Sequence, residues 1–484
     1  MKKVVLKTFG CQMNAYDSQV AAGILEKAGF QVITEAEDNE VWRNLARHLS
    51  PQSTHAGVEV PDESLRPDII LMNTCSVREH AEERVWGRLG MLGKEKKENP
   101  SLVIGLMGCM VEEHREKLFK RFPYLDLMVG TRHIKELPEM IRQVYETRKH
   151  VLRIKQDGIS IEYSEFTKRD SGFHAWLPIM TGCNKECTFC VVPMTRGAEV
   201  SMPAAEVERE ARRLVADGVK WITLLGQNVN SYNGGLTGNA QRTTSDPAVD
   251  RCALNAAREV RFAELLERLC AIEKLERISF TTSHPTDANE ELFRVVARNP
   301  KIGRRFHLPL QSGSDKMLKL MKRYHTYAEY KAKIDRLREW VPDISITTDI
   351  IVGFSGETEE DHQATRRALE EIRFDGAFIY KYSVRPGTPA SRLPDDVPFE
   401  VKSQRNHELL TLQRGIVGEK SRELVGKTVS VFVEKRNLEN PEELVGRTDQ
   451  DRRVVFVSRK DLSGQFLKMR ITGLHHETFR GELA

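Results

Sequence analysis

Three stretches of the chain share one design, and it restricts the fold more than any other feature. "KVVLKTFGC" runs to Cys11, "DIILMNTC" to Cys75 and "LVIGLMGC" to Cys109. Each is a run rich in Val, Ile and Leu, the pattern of a fully buried strand in a parallel sheet. Each is followed by a helix-like segment: "YDSQVAAGILEKAG", "VREHAEERVWGRLG" and "EEHREKLFKRF". Strand, turn and helix, repeated, predict a doubly wound α/β domain over residues 1–148. The cysteine comes each time at the carboxyl end of the strand. Those ends share one edge of a parallel sheet, where such folds bind ligands. The three cysteines are therefore predicted to converge. A free cysteine is often simply buried, but three in the same turn position argue for a shared role. Residues 37–66 interrupt the domain with a short helical pattern and a loop, read as a peripheral insertion.

Residues 149–170 are charged and weakly patterned, and are expected to form a linker. Strand–helix alternation resumes over 171–418. Strands are predicted at "WLPIMT", "WITLLG", "RISFTTS", "FHLPLQS", "ISITTDIIVGF" and "GAFIYKYS". About six βα units predict a partial parallel barrel. "RFAELLERLCAIEK" places Phe262, Leu265, Leu266, Leu269 and Cys270 on one helical face, so Cys270 is expected to fill a core. A polar, Gly-rich stretch at 233–256 reads as a surface loop, and Cys252 within it has no evident ligand partners. A long helix over about 398–425 leads out of the barrel. The period then changes to two, and "KTVSVFVEKR", "RRVVFVS", "FLKMRITGL" and "FRGEL" predict a small β barrel over 419–484. Such barrels bind nucleic acid or serve as plain interaction modules, and the pattern leaves both open.

No stretch of the 484 residues approaches the roughly 18 apolar residues of a membrane span. "MKKVVLKTFG" reads as an opening strand, not a signal peptide. A cytoplasmic location with reduced thiols is expected, so the eight cysteines read as ligands, nucleophiles or core residues, not disulfides. The net charge of +4 is too mild to argue for a nucleic-acid partner. "GCNKECTFC" then stands out, with Cys183, Cys187 and Cys190 in the loop after the first barrel strand. That is the face where barrel active sites form. Three thiolates suit a [4Fe–4S] cluster with one iron left open. Zinc would need a fourth Cys or His at suitable spacing. None is near, and His174 lies outside the usual pattern, so the spacing favours the cluster.

CxxxCxxC on a (βα)₆ barrel resembles the radical S-adenosylmethionine (SAM) enzymes. In them the open iron chelates SAM, and an electron from the cluster cleaves it to a 5′-deoxyadenosyl radical. Further motifs narrow the resemblance: "TFGCQMNAYDS", "NTCSVRE", "GCNKECTFCVVPMTRGAEVS", "LGQNVNSY", "TTSHP", "HLPLQSGSDKMLKLMKR", "TTDIIVGFSGETEED" and "YSVRPGTPA". Together they resemble the methylthiotransferases, nearest the MiaB-type branch of tRNA-2-methylthio-N6-dimethylallyladenosine synthases. The resemblance spans almost the whole chain, and the C-terminal barrel is similar to a TRAM domain.

The resemblance implies that Cys183, Cys187 and Cys190 bind the radical SAM cluster. It implies that Cys11, Cys75 and Cys109 bind an auxiliary [4Fe–4S] cluster. It further implies two SAM molecules per turnover, one to methylate a sulfur and one to activate C2–H of a prenylated adenosine at position 37 of tRNA. The target lies in the unpaired anticodon loop. An electron donor such as flavodoxin or ferredoxin is expected, as is a monomer. Gln227, Ser283, Gln311 and Asp349, polar residues at strand ends, are candidates to hold SAM or are turn and capping residues. Arg196 and Arg385 are expected either to contact phosphate or to be surface arginines. Two other readings stay open: methylthiolation of threonylcarbamoyl-adenosine or a ribosomal-protein aspartate, and a non-catalytic iron–sulfur RNA-binding protein.

Overall fold

A computed structural model describes residues 1–33, 66–76, 79–154, 166–234 and 259–484. The insertion expected at 37–66 and the loop expected at 233–256 fall almost wholly outside the described residues. Two compact units divide the chain: 1–170 with 191–198, and 171–190 with 199–484.

The first unit is built on a parallel sheet of β1 (Lys3–Thr8), β2 (Gln31–Ile33), β3 (Ile69–Thr74), β4 (Val103–Gly108), β5 (Leu127–Val129) and β6 (Val151–Arg153). Their order is β2-β1-β3-β4-β5-β6. The apolar runs make β3 and β4 wholly buried. Side chains alternate across a strand, so Val4, Ile69 and Val103 feed one core while Val5, Ile70 and Ile104 feed the other. Helices Gln12–Lys27 and Glu79–Glu98 cover the faces.

The linker expected over 149–170 is folded where it is described. Its start supplies β6, which pairs with β5. Its end is held to the helix Gln12–Lys27, where Lys168 N–H donates to Gln19 O at 3.0 Å and Gln19 Nε2 to Asp170 Oδ2 at 2.8 Å. Charge and weak patterning concealed an edge strand.

The second unit opens with β7 (His174–Pro178) and the two-residue strand β8 (Met180–Thr181), which pairs antiparallel with β9 (Val200–Ser201). Strands β10 (Trp221–Leu225), β11 (Arg277–Phe280), β12 (Arg305–His307), β13 (Ser345–Val352) and β14 (Gly376–Lys381) follow. They form two parallel three-stranded sheets, β11-β10-β7 and β12-β13-β14. A single bridge from Ile278 to Ile302 continues the arc between them. Neighbouring strands follow one another in the chain, as the partial barrel requires. In the helix Phe262–Cys270 the residues Phe262, Leu265, Leu266 and Leu269 are buried, whereas Cys270 at its end is only half-buried.

The helix Phe399–Arg422 leads to a closed five-stranded barrel. Its strands are β15 (Thr428–Arg436), β16 (Glu443–Thr448), β17 (Arg453–Val457), β18 (Phe466–His475) and β19 (Thr478–Leu483). Val431, Val433, Leu444, Val454, Phe456, Met469, Ile471 and Phe479 fill it. Alternation in the sequence indicated four of these strands. β16 was missed because "ELVGRT" breaks the apolar period at Gly446 and Arg447. The barrel docks on the amino ends of the parallel strands. Trp221, first in β10, meets Phe432 edge-on at 5.4 Å. Arg277, first in β11, donates to Thr448 O at 3.3 Å and pairs with Asp449. Arg305, first in β12, pairs with Asp451.

Candidate metal centres

The order β1-β3-β4 makes the three cysteine-bearing strands neighbours, with Thr8 opposite Asn73 and Thr74 opposite Gly108. Cys75 and Cys109 directly follow β3 and β4, and Cys11 caps the helix that follows β1. All three therefore lie at one edge of the sheet. The close approach needs glycine before two of them. A Cβ on Gly10 would lie 2.7 Å from Cys75 Cβ, and one on Gly108, whose φ is +99°, 2.5 Å from Thr74 O. Asparagines fasten the strand ends. Asn14 Nδ2 donates to Asn73 Oδ1 at 3.0 Å and to Thr74 O at 3.2 Å, and Asn73 Nδ2 donates to Asn14 O at 2.7 Å.

The Cys11 thiol is drawn down to about 6. Its hydrogen bond with Cys75 is the largest cause. Burial opposes it, while the Arg196 charge and the N–H groups of Asn14 and Met13 assist. Burial pushes the Cys109 thiol up, and Arg196 opposes that. Arg196 is neither a surface residue nor free to meet phosphate. It is buried in the first unit, with Nη2 2.7 Å from Asp17 Oδ2. Burial works against its charge, but Asp17, Cys109 and Cys11 outweigh this and keep it protonated. Arg385 is only partly buried.

In the second unit Cys183, Cys187 and Cys190 leave β8 in a loop. Cys190 N–H donates to Cys187 O at 3.0 Å, and Lys185 N–H donates to Cys183 Sγ at 3.4 Å. Neighbouring loops anchor it. Lys185 Nζ reaches Asp287 Oδ1 at 2.8 Å, and Asn228 Nδ2 donates to Asp287 Oδ2 at 2.6 Å. Thr188 Oγ1 donates to Leu320 O at 2.9 Å. The buried Arg323 gives Nη1 to Cys187 Sγ at 3.2 Å and Nη2 to Pro309 O at 2.8 Å. Burial pushes the Cys183 thiol up. Lys185, Asn228, Asp287 and Arg323 escaped sequence reasoning. Only their places after predicted strands or inside the cysteine motif could have signalled them.

The four candidate SAM contacts lie in or after strands of the same arc. Gln227 follows β10 and Ser283 follows β11. Gln311 follows β12 and bridges to β13, its N–H donating to Asp349 O at 2.8 Å. Asp349 lies within β13, its Oδ2 3.3 Å from His307 Nε2. Ser283 Oγ donates to Asn230 Oδ1 at 3.1 Å. Gln227 Oε1 and Gln311 Oε1 are buried acceptors without a hydrogen-bond partner among the described residues. Thr282 and Gln311 hold left-handed backbone, with φ of 71° and 76°. That is costly for a β-branched threonine, and such strain concentrates at functional sites.

The donor chemistry tests what each thiol set suits. A single zinc ion, with Zn–S near 2.3 Å, holds its sulfurs about 3.8 Å apart. Among the described residues, neither triplet has all three sulfurs within 4.8 Å of one another. Each set offers three thiols, one short of the four ligands of a structural zinc site, and three thiols suit a [4Fe–4S] cluster with one iron left open.

A thiol loop at the end of the first strand of a parallel arc defines a radical SAM protein. Residues 177–369 match the Radical SAM superfamily, 3–43 and 46–130 the Uncharacterized protein family UPF0004, and 422–484 the TRAM domain. These matches imply a [4Fe–4S] cluster and SAM. The tRNA-2-methylthio-N(6)-dimethylallyladenosine synthase of Dictyoglomus thermophilum is 43% identical over 486 residues, covering 100% of this chain and 99% of its own. That of Carboxydothermus hydrogenoformans is 40% identical, covering 97% of each chain. That of Yersinia pseudotuberculosis is 40% identical, covering 100% of this chain and 92% of its own. The chain belongs to this family of radical SAM methylthiotransferases. The radical SAM methyltransferase TsrM of Kitasatospora setae, solved with cobalamin and a [4Fe–4S] cluster, shares the fold. It has a TM-score of 0.50 and 16% identity, over 81% of this chain and 74% of its own. Among the described residues no helix is long and apolar enough to cross a membrane.

Proposed function

We propose that the protein adds a methylthio group to C2 of N6-dimethylallyladenosine at position 37 of tRNA, giving 2-methylthio-N6-dimethylallyladenosine. The observation that carries the reading is the presence of two separate thiol triplets, each at the carboxyl end of a parallel sheet. One triplet suffices to cleave SAM, and the second supplies the place for sulfur. We assign Cys183, Cys187 and Cys190 to the radical SAM cluster, and Cys11, Cys75 and Cys109 to an auxiliary [4Fe–4S] cluster. When bound, these clusters supply the electron for SAM cleavage and a site for the transferred sulfur. The chain's own residues bind and orient. Lys185, Asp287 and Asn228 fix the cysteine loop, and Arg323 donates to Cys187. We assign Gln227, Ser283, Gln311 and Asp349 to SAM, and the buried oxygens of Gln227 and Gln311 would accept hydrogen bonds from it. Two SAM molecules serve each turnover. The C-terminal barrel engages the tRNA, whose target base lies in the anticodon loop. A flavodoxin- or ferredoxin-type donor reduces a cytoplasmic monomer.

Two variants test the assignment, with iron content, 5′-deoxyadenosine and modified nucleoside measured on the same anaerobic preparations. Cys187→Ala should form no 5′-deoxyadenosine. Cys75→Ala should lose about half its iron, from roughly eight to roughly four per chain. It should still cleave SAM but transfer no methylthio group. Full methylthiolation by Cys75→Ala would overturn the two-cluster reading.

A further inference from the structure

Arg196 follows Cys190 by only six residues, yet its side chain is buried in the first unit at 5% exposure. Asp17, at 6% exposure, accepts from its Nη2 at 2.7 Å. The short helix Val192–Thr195 just before Arg196 packs on the helix that Cys109 opens, Asp17 lies in the helix that Cys11 caps, and the guanidinium charge lowers both thiols. Arg132 Nη2 donates to Arg196 O at 2.9 Å and fixes the backbone behind it. Burying an ion pair is costly, and apolar residues of similar volume often serve packing as well. The Asp17–Arg196 pair is itself neutral. Beside it stand thiols that must be deprotonated to ligate iron. Its polarity then matters: the guanidinium lowers the Cys109 thiol while the carboxylate raises it. The same device recurs in the second unit, where the buried Arg323 bonds Cys187.

We infer that Arg196 is a positioning residue of the auxiliary cluster: oriented by Asp17, it offsets the charge of Cys11 and Cys109 and favours the reduced state of that cluster. The inference rests on the reading that Cys11, Cys75 and Cys109 bind a cluster. Reduction adds one electron, and so one negative charge, beside the guanidinium. Both members of the pair are out of water, where salt screens charge weakly. Removing the positive member therefore disfavours reduction, and removing the negative member favours it.

The test uses the full chain with Cys183, Cys187 and Cys190 replaced by alanine, so that only the auxiliary cluster is present. Iron content and the one-electron midpoint potential are measured by dithionite titration followed by electron paramagnetic resonance. Arg196→Met should lower the reduction equilibrium about tenfold, about 59 mV. Asp17→Asn should shift it the opposite way, and Arg196→Lys should stay near the parent. A structural defect would not give shifts of opposite sign. Should Arg196→Met fail to bind iron, Asp17→Asn still decides, since an unchanged or lowered potential overturns the inference. Potentials that ignore these substitutions in an iron-loaded parent overturn this inference alone. A parent that binds no iron overturns the cysteine assignment and this inference with it.

Discussion

Arg323 joins two segments of the barrel by one side chain, donating to Cys187 Sγ at 3.2 Å and to Pro309 O at 2.8 Å. The guanidinium is buried, so the bond to sulfur is exchanged little with water. Groups that orient metal ligands in this way typically matter 10–100-fold for affinity or activity. Arg323→Met should therefore lower SAM cleavage by about 10–100-fold. Arg323→Lys should lose less, keeping the charge but only one of the two contacts. Anaerobic formation of 5′-deoxyadenosine, set against iron content, is the check. Cleavage by Arg323→Met at the parent rate with full iron would show that the contact is idle.

Cys11 gives a pH-dependent signature to the iron-free protein. It is half-buried, and its thiol is drawn down to about 6, first by the hydrogen bond with Cys75. Carboxymethylation of Cys11 should therefore rise through a midpoint near pH 6, where an ordinary thiol titrates near 8.5. The midpoint is the readout and not the rate, because a more acidic thiol is also a weaker nucleophile. The sign for stability follows. A thiol more acidic in the folded chain than in the unfolded one stabilises the fold fully above the unfolded value. That gain is lost as pH falls through about 6. Peptide mapping after pulse alkylation measures the midpoint, and a value of 8 or above would contradict the geometry at Cys11.

The six candidate cysteines were legible in the sequence because their positions are local facts. Cys75 and Cys109 end apolar runs, and Cys183, Cys187 and Cys190 are separated by a few residues. The sheet order then turned a local pattern into a spatial one. Arg196 was not legible, since its partner Asp17 is 179 positions away and nothing in "TRG" distinguishes a buried arginine from an exposed one. Strands β2, β5 and β6 were missed because each has three residues, too few to display a period. Gln227, Ser283, Gln311 and Asp349 could be placed along the arc. The unpartnered oxygens that make two of them ready acceptors emerge only from packing.

The C-terminal barrel bears on the second unit's stability as well as on RNA. The alternation of its strands indicated a small barrel but not what it rests on. The structure seats it on Arg277, which is 3% exposed. That guanidinium lies 5.1 Å from the Trp221 ring and 4.5 Å from the Phe466 ring, and bonds Thr448 O and Asp449. Deleting 427–484 would leave a buried arginine without Phe466, Thr448 and Asp449 and uncover Trp221. The truncated chain should melt at lower temperature, with tryptophan emission shifted to the red. Asp449→Ala alone should cost about 1–2 kcal/mol, at the low end for a charged hydrogen bond because Asp449 is 40% exposed. RNA contact must therefore be tested on the outer face of the intact barrel. Lys468 and Arg470 project outward from β18 on either side of the buried Met469. Replacing both with alanine removes no partner of Arg277, so the melting temperature should hold. If both meet phosphates, the slope of log affinity for tRNA against log salt should fall by about 1.4–1.8. An unchanged slope would exclude them from the RNA interface, and an unchanged melting temperature after truncation would show that the docking on Arg277 and Trp221 adds no stability.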